Sequence, residues 1–275
     1  MKTANFVSIA ASVAAAFTVM ISAPAQAGAI RDAALFTDNT LARNDDGSTG
    51  LVNIGFNIDF YGVSQNNLYV NNNGNVTFAS PLSTFTPFGL INSTIAIIAP
   101  FFADVDTRAG PGITQYGQDI IGGRNVFGVN WINVGYYNSQ ANKLNSFQLI
   151  LTDRSDTGAG NFDFEFNYDQ IQWETGGASG GSNGLGGSPA RVGYTNGDTN
   201  DVEFAGSGVT LAFLDGGPNS LIAGSLNSNV AGRYIFNVRN GAVVVPPNDA
   251  PEPESIALVA LGAAALVLSR RRKSK

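Results

Sequence analysis

Two carboxylates one residue apart, Asp104 and Asp106, close the apolar stretch Ile98-Ala99-Pro100-Phe101-Phe102-Ala103 and precede Arg108. At i and i+2 of a strand they share one face of a sheet. Three roles fit such a pair: a salt bridge to Arg108 or a turn cap, ligation of Ca²⁺, and a catalytic carboxylate pair. Calcium takes roughly six to eight oxygens, so Asp104 and Asp106 are candidate metal ligands that supply only part of a site. Asp45-Asp46-Gly47 lacks the spaced acids and the closing Glu of a calcium loop and reads as a solvated turn.

Other residues invite chemistry more weakly. A glycosidase needs two carboxyl groups roughly 5 to 9.5 Å apart across a cleft, and Asp163, Glu165 and Glu174 are the acids to consider. The alternation Phe162-Asp163-Phe164-Glu165-Phe166 places Asp163 and Glu165 on the solvent face. Trp131 and Trp173, with Tyr136, Tyr137 and Tyr168, either pack in the core or form a platform for sugar rings. Tyr136 and Tyr137 are consecutive and face opposite ways, which exposes one of them. The run Gly176 to Gly187 has neither the Lys-Ser/Thr of a phosphate loop nor a dinucleotide fingerprint, so no nucleotide cofactor follows. The chain contains no His and no Cys. This excludes His-dependent nucleophilic catalysis, thiol nucleophiles, zinc sites of Cys and His, and disulfides. The expectation is a non-catalytic protein with no cofactor other than calcium.

The elements that position these residues are strands. Charged residues are 13% of the chain, well below the roughly 25% of an average soluble domain, and Gly numbers 33, a composition unsuited to a helical bundle. Between residues 28 and 250 there are 19 acidic against nine basic side chains, the wrong sign for nucleic acid. Period-two patterns mark strands at 147–151 and 162–169, joined by the turn residues Asp153 to Gly160. Leu68-Tyr69-Val70 and Val76-Thr77-Phe78 flank Asn71-Asn72-Asn73-Gly74-Asn75 as a second hairpin. Further strands are expected at 52–60, 95–105, 126–134, 191–195, 209–213 and 234–238, and a long flexible loop at Thr175 to Pro189. These add up to an all-β protein, an antiparallel β-sandwich of about 9–12 strands.

Both termini carry targeting signals. Lys2, the apolar stretch Phe6 to Ile21 and Ala25-Gln26-Ala27 form a signal peptide (1–27) cleaved before Gly28, which directs the chain through the Sec translocon. At the other end, Pro251-Glu252-Pro253 precedes an apolar run from Ile256 to Leu268 and a basic tail containing Arg270, Arg271 and Arg272. This order resembles the PEP-CTERM sorting signal of Gram-negative bacteria. The resemblance implies a transient inner-membrane tether, processing by an exosortase-type enzyme, and delivery to the cell surface or exopolysaccharide matrix. The expected organisation is therefore a signal helix, a β-sandwich domain over 28–245, and a linker with sorting signal over 246–275, its hydrophobic helix at about 255–269 and its basic tail at 270–275.

The phrases Leu68 to Phe78, Ile98-Ala99-Pro100-Phe101-Phe102-Ala103-Asp104-Val105-Asp106-Thr107-Arg108, Phe166-Asn167-Tyr168 with Ile171-Gln172-Trp173, Val192-Gly193-Tyr194 and Gly232-Arg233-Tyr234 occur in this order. The series resembles the nidogen-like (NIDO) extracellular domain and spans about Ile54 to Val238. It implies cell–matrix adhesion, with turns rich in Asn, Gly and aromatic residues offered to extracellular polysaccharide or to surface proteins.

Overall fold

The computed structural model describes residues 28–244. In chain order the strands are β1 (Asn39–Leu41), β2 (Val52–Phe60), β3 (Val63–Asn71), β4 (Asn75–Thr77), β5 (Ala96–Phe102), β6 (Val105–Asp106), β7 (Ile113–Ile121), β8 (Arg124–Tyr136), β9 (Gln140–Asp153), β10 (Phe162–Ile171), β11 (Arg191–Asn196), β12 (Asp201–Glu203), β13 (Arg233–Arg239) and β14 (Ala242–Val244). One antiparallel sheet runs β1-β7-β8-β9-β10-β13-β14 with β6 added against β8, and the other runs β12-β11-β5-β4-β3-β2. The all-β sandwich is as expected. The strand count exceeds 9–12 because β1, β6, β12 and β14 span only two or three residues each, too few to show an alternation. Both expected flanking helices lie outside the described residues, as do Ala25, Ala27, Pro251, Glu252, Pro253, Arg270, Arg271 and Arg272. Among the described residues no helix is long and apolar enough to cross a membrane.

The core follows from register. Phe127, Leu151, Phe164 and Phe236 lie side by side across the larger sheet, and the next rows are Val129, Leu149, Phe166 and Tyr234, then Trp131, Phe147 and Tyr168. Val70, Val76, Ile98 and Tyr194 form the facing row of the smaller sheet. Aromatic contacts join the layers: Phe164 meets Tyr194 edge-on with centroids 5.1 Å apart, and Phe101 meets Trp173 at 5.6 Å. The Tyr168 hydroxyl donates to the Pro100 carbonyl across the sandwich at 2.6 Å.

Non-strand segments cover the outer faces. Residues 28–37 lie over the larger sheet, where the Phe36 ring rests on Gly128 so closely that a Cβ there would overlap it. Loop residues Leu82, Phe88 and Leu90 cover Ile97, Ala99 and Phe102 of β5 on the smaller sheet, which explains why β5 is apolar without alternation.

Three expectations are corrected. The strand expected at 95–105 is interrupted at Ala103 and Asp104, because the Asn71–Asn75 turn takes its backbone donors: Ala103 N donates to the Asn73 carbonyl and Val105 N to Asn73 Oδ1. Residues 209–213 form successive turns, Val209 N bonding Gly206 O and Ala212 N bonding Val209 O, and drive Phe213 into the core. The flexible loop at 175–189 is instead closed on itself. Gly181 N bonds Gly176 O, Ser188 N bonds Ser179 O, and the buried Glu174 carboxylate accepts from Gly186 N at 3.0 Å and Leu211 N at 2.7 Å.

Candidate functional site

Three chain segments meet where β5 ends. Loop 43–48 is held by Arg43, whose guanidinium donates to the carbonyls of Thr107, Gly110 and Gly112, and by Thr107 N bonding Asn44 O. The turn Asn71–Asn75 lies against this loop, and the link 103–108 completes the group. One carboxylate oxygen from each of Asp45, Asp46 and Asp104 falls within 4.8 Å of the others. Asp45 and Asp46 are half-buried rather than a solvated turn, and Asp104 is 1% exposed.

The Asn turn is the scaffold of this cluster. All of residues 71–78 are buried, so this turn is not offered to a polysaccharide as expected. Asn71 Nδ2 donates to Asn75 Oδ1 at 2.7 Å, Asn73 Nδ2 donates to Asp46 Oδ1 at 2.9 Å, and Asn72 Nδ2 donates to the carbonyls of Asp45 and Val105. Trp131 Nε1 donates to the Asn72 carbonyl at 3.1 Å. Gly74 has φ of +72°, and a Cβ there would overlap the carbonyl oxygen of Phe101. These bonds satisfy most of the polar groups that the turn buries and would otherwise leave at full desolvation cost, but not Asn72 Oδ1.

Asp106 takes a different part from Asp104. Arg108 grips it with Nε to Oδ1 at 2.9 Å and Nη2 to Oδ2 at 2.6 Å, and Ser139 N adds a bond at 2.7 Å. Burial alone would raise the Asp106 carboxyl, but these donors hold it below the usual carboxylate value. Arg108 Nη2 also lies 3.1 Å from Asp45 Oδ2, and its guanidinium sits 5.8 Å from the Tyr137 ring centroid. Burial, and then the charges of Asp45, Asp46 and Asp106, push Asp104 up to about 7. Asp45 rises to about 6 by burial and the charges of Asp106 and Asp46, against Arg108. Asp45, Asp46 and Asn72 were not connected to Asp104 by any spacing in the sequence. The one signal was three consecutive Asn before a Gly, more side-chain amide than a hairpin turn requires.

The remaining candidates are engaged elsewhere. Trp131 and Trp173 are 0% exposed, and with Tyr136 and Tyr168 they are core residues, not a platform; Tyr137 is half-exposed. Glu165, expected in solvent, is 5% exposed beneath segment 28–37 and pairs with Arg31 at 2.8 Å and Arg233 at 3.2 Å. Asp163 pairs with Arg154 and Arg239, each at 2.7 Å. Asp163, Glu165 and Glu174 are thus each bound to an arginine or to backbone.

The Nidogen-like domain model matches residues 66–122 and 115–240, covering the Asn turn, the β5–β6 link and the sheets around them. The chain belongs to the nidogen-like domain family. Its relatives include alpha-tectorin of Mus musculus, 35% identical over 238 residues, and alpha-tectorin of Gallus gallus, 30% identical over 237, each match covering 77% of this chain. Nidogen of Drosophila melanogaster is 28% identical over 207 residues, 66% of this chain. The chain spans only about a tenth of these relatives' length, 10% for the mouse protein and 14% for the fly protein. No solved structure matches. A second model, the PEP-CTERM protein-sorting motif, matches residues 249–273, and implies processing by exosortase-type machinery. A nidogen-like domain joined to this motif marks an exported protein of the cell surface or matrix.

Proposed function

We propose that this chain is a non-catalytic adhesion or matrix protein of a Gram-negative bacterium, held transiently in the inner membrane and then delivered to the exopolysaccharide matrix. The observation that carries this reading is the presence of a nidogen-like domain and a PEP-CTERM motif on one chain. Support comes from the acids suited to glycan hydrolysis, since Asp163 and Glu165 are neutralised by two arginines each. Contact with polysaccharide or surface proteins falls to exposed positions away from the buried Asn turn. The test is cosedimentation of the full chain, in mild detergent, with cells and with extracted exopolysaccharide of the producing bacterium. Saturable retention is expected; a folded chain that stays in the supernatant in every arm would exclude direct adhesion.

A further inference from the structure

We propose that Asp45, Asp46 and Asp104, together with the side-chain oxygen of Asn72, bind one calcium ion. Three buried side-chain oxygens here have no hydrogen-bond donor: Asp45 Oδ1, Asn72 Oδ1 and Asp104 Oδ2. All three are acceptors, and a buried acceptor without a donor bears its full desolvation penalty. Asp104 is 1% exposed and Asn72 0%, so water does not solvate this group as it would a surface acidic patch. Nor can the Asn72 amide be reversed to supply a donor, because both partners of its Nδ2 are carbonyl oxygens. Gly176 lies so close to Asp104 that a Cβ there would overlap its Oδ2, so the carboxylate is packed against backbone that offers it no donor.

The carboxylates stand close enough to share one cation. One oxygen from each lies within 4.8 Å of the others, a separation that ligand oxygens at about 2.4 Å from a common ion do not exceed. The donors are oxygen only, which selects a hard cation over zinc or copper. Carboxylates mixed with an amide oxygen fit the larger, irregular shell of calcium better than the tight octahedron of magnesium. Water would complete the shell of roughly six to eight oxygens that calcium takes. Arg108 engages only Asp45 Oδ2, so Oδ1 is left for the ion. Asp106, gripped by Arg108, is outside the ligand set.

The test uses the full chain in mild detergent, stripped with EDTA, and reads thermal unfolding in calcium, magnesium or EDTA, with terbium luminescence as a second signal. Trp131 bonds the Asn72 carbonyl and sits close enough to sensitise a bound terbium ion. With affinity on the order of 10⁻⁴ M, as in extracellular calcium modules, 10 mM calcium is expected to raise Tm by about 5–10 °C. Terbium emission should saturate and be displaced by calcium. Asp104→Asn should lose both responses while melting in EDTA at or above the wild-type temperature, because a neutral amide replaces a buried charge. Should that variant fail to fold, Asp46→Asn, at a half-exposed position, is expected to weaken calcium binding at least tenfold. A wild-type Tm unmoved by calcium, absent terbium emission, or an undiminished calcium response in a folded variant would overturn the proposal. None of these readouts depends on adhesion, so the two readings fail separately.

Discussion

The carboxyls of Asp104 and Asp45 have folded-state values of about 7 and about 6 without a cation, set first by burial and then by neighbouring acids. Between the ordinary value of 3.8 and these raised values, the folded state binds more protons than the unfolded chain. Stability must then fall as pH rises through that interval. Urea unfolding in EDTA is expected to show a lower midpoint at pH 7.5 than at pH 4.5, and Asp104→Asn should flatten the difference; a midpoint that rises with pH would contradict it. Asp106 acts in the opposite sense, because its lowered value places its loss of stability below the ordinary 3.8, outside this interval. Gly74 makes the other residue-scale prediction. Its positive φ and its contact with the Phe101 carbonyl leave no room for a Cβ, so Gly74→Ala is expected to cost about 3 kcal/mol or more in denaturant unfolding. The Asn-Gly turn was legible in the sequence, but not its burial. A turn rich in amides looks solvent-facing until its hydrogen-bond partners, here loop 43–48 and link 103–108, are known.

At the scale of elements, alternation located the strands that have one apolar and one polar face and misjudged what covers the polar face. Glu165, Asn167 and Gln148 occupy polar positions of β9 and β10, and segment 28–37 covers them, with Arg31 N donating to Gln148 Oε1 at 3.1 Å. The residues just after the expected cleavage site thus serve as a strap across the larger sheet. Phe36 is its anchor, 1% exposed against Val126 and Ile150. Phe36→Ala is expected to lower stability by about 3 kcal/mol and to speed amide exchange in β8 and β9 before other strands. Uniform exchange across both sheets would show that the strap is no separate unit. The turns at 206–217 were missed for a related reason. Val209 to Phe213 has the apolar content of a strand, but Gly206 and Gly208, at φ of +104° and +68°, and Leu211, at +64°, curl the chain. Leu211 N then finds Glu174 instead of a neighbouring strand.

For the whole molecule, the sorting segment and the sandwich make separable contributions. Replacing Pro251, Glu252 and Pro253 by Ala is expected to leave the unfolding midpoint of the sandwich unchanged while retaining the chain in the cell envelope, as read by fractionation and immunoblotting. Release equal to wild type would show that the motif does not direct export. The sequence by itself determined the all-β class, the positions of most long strands though not of β7, the C-terminal sorting motif and the exclusion of His and Cys chemistry. All of these rest on residue identity or on neighbours within about ten positions, where backbone geometry ties spacing to facing. Only the tertiary structure decided which acids stand together. Asp45 and Asp46, Asn72, and Asp104 are brought together from three separate segments, and Asp106 leaves the group because Arg108, two residues away, satisfies it first. Local spacing proposed the pair Asp104 and Asp106, whereas the cluster arises from sheet register and loop closure, which join residues that no pattern along the chain relates.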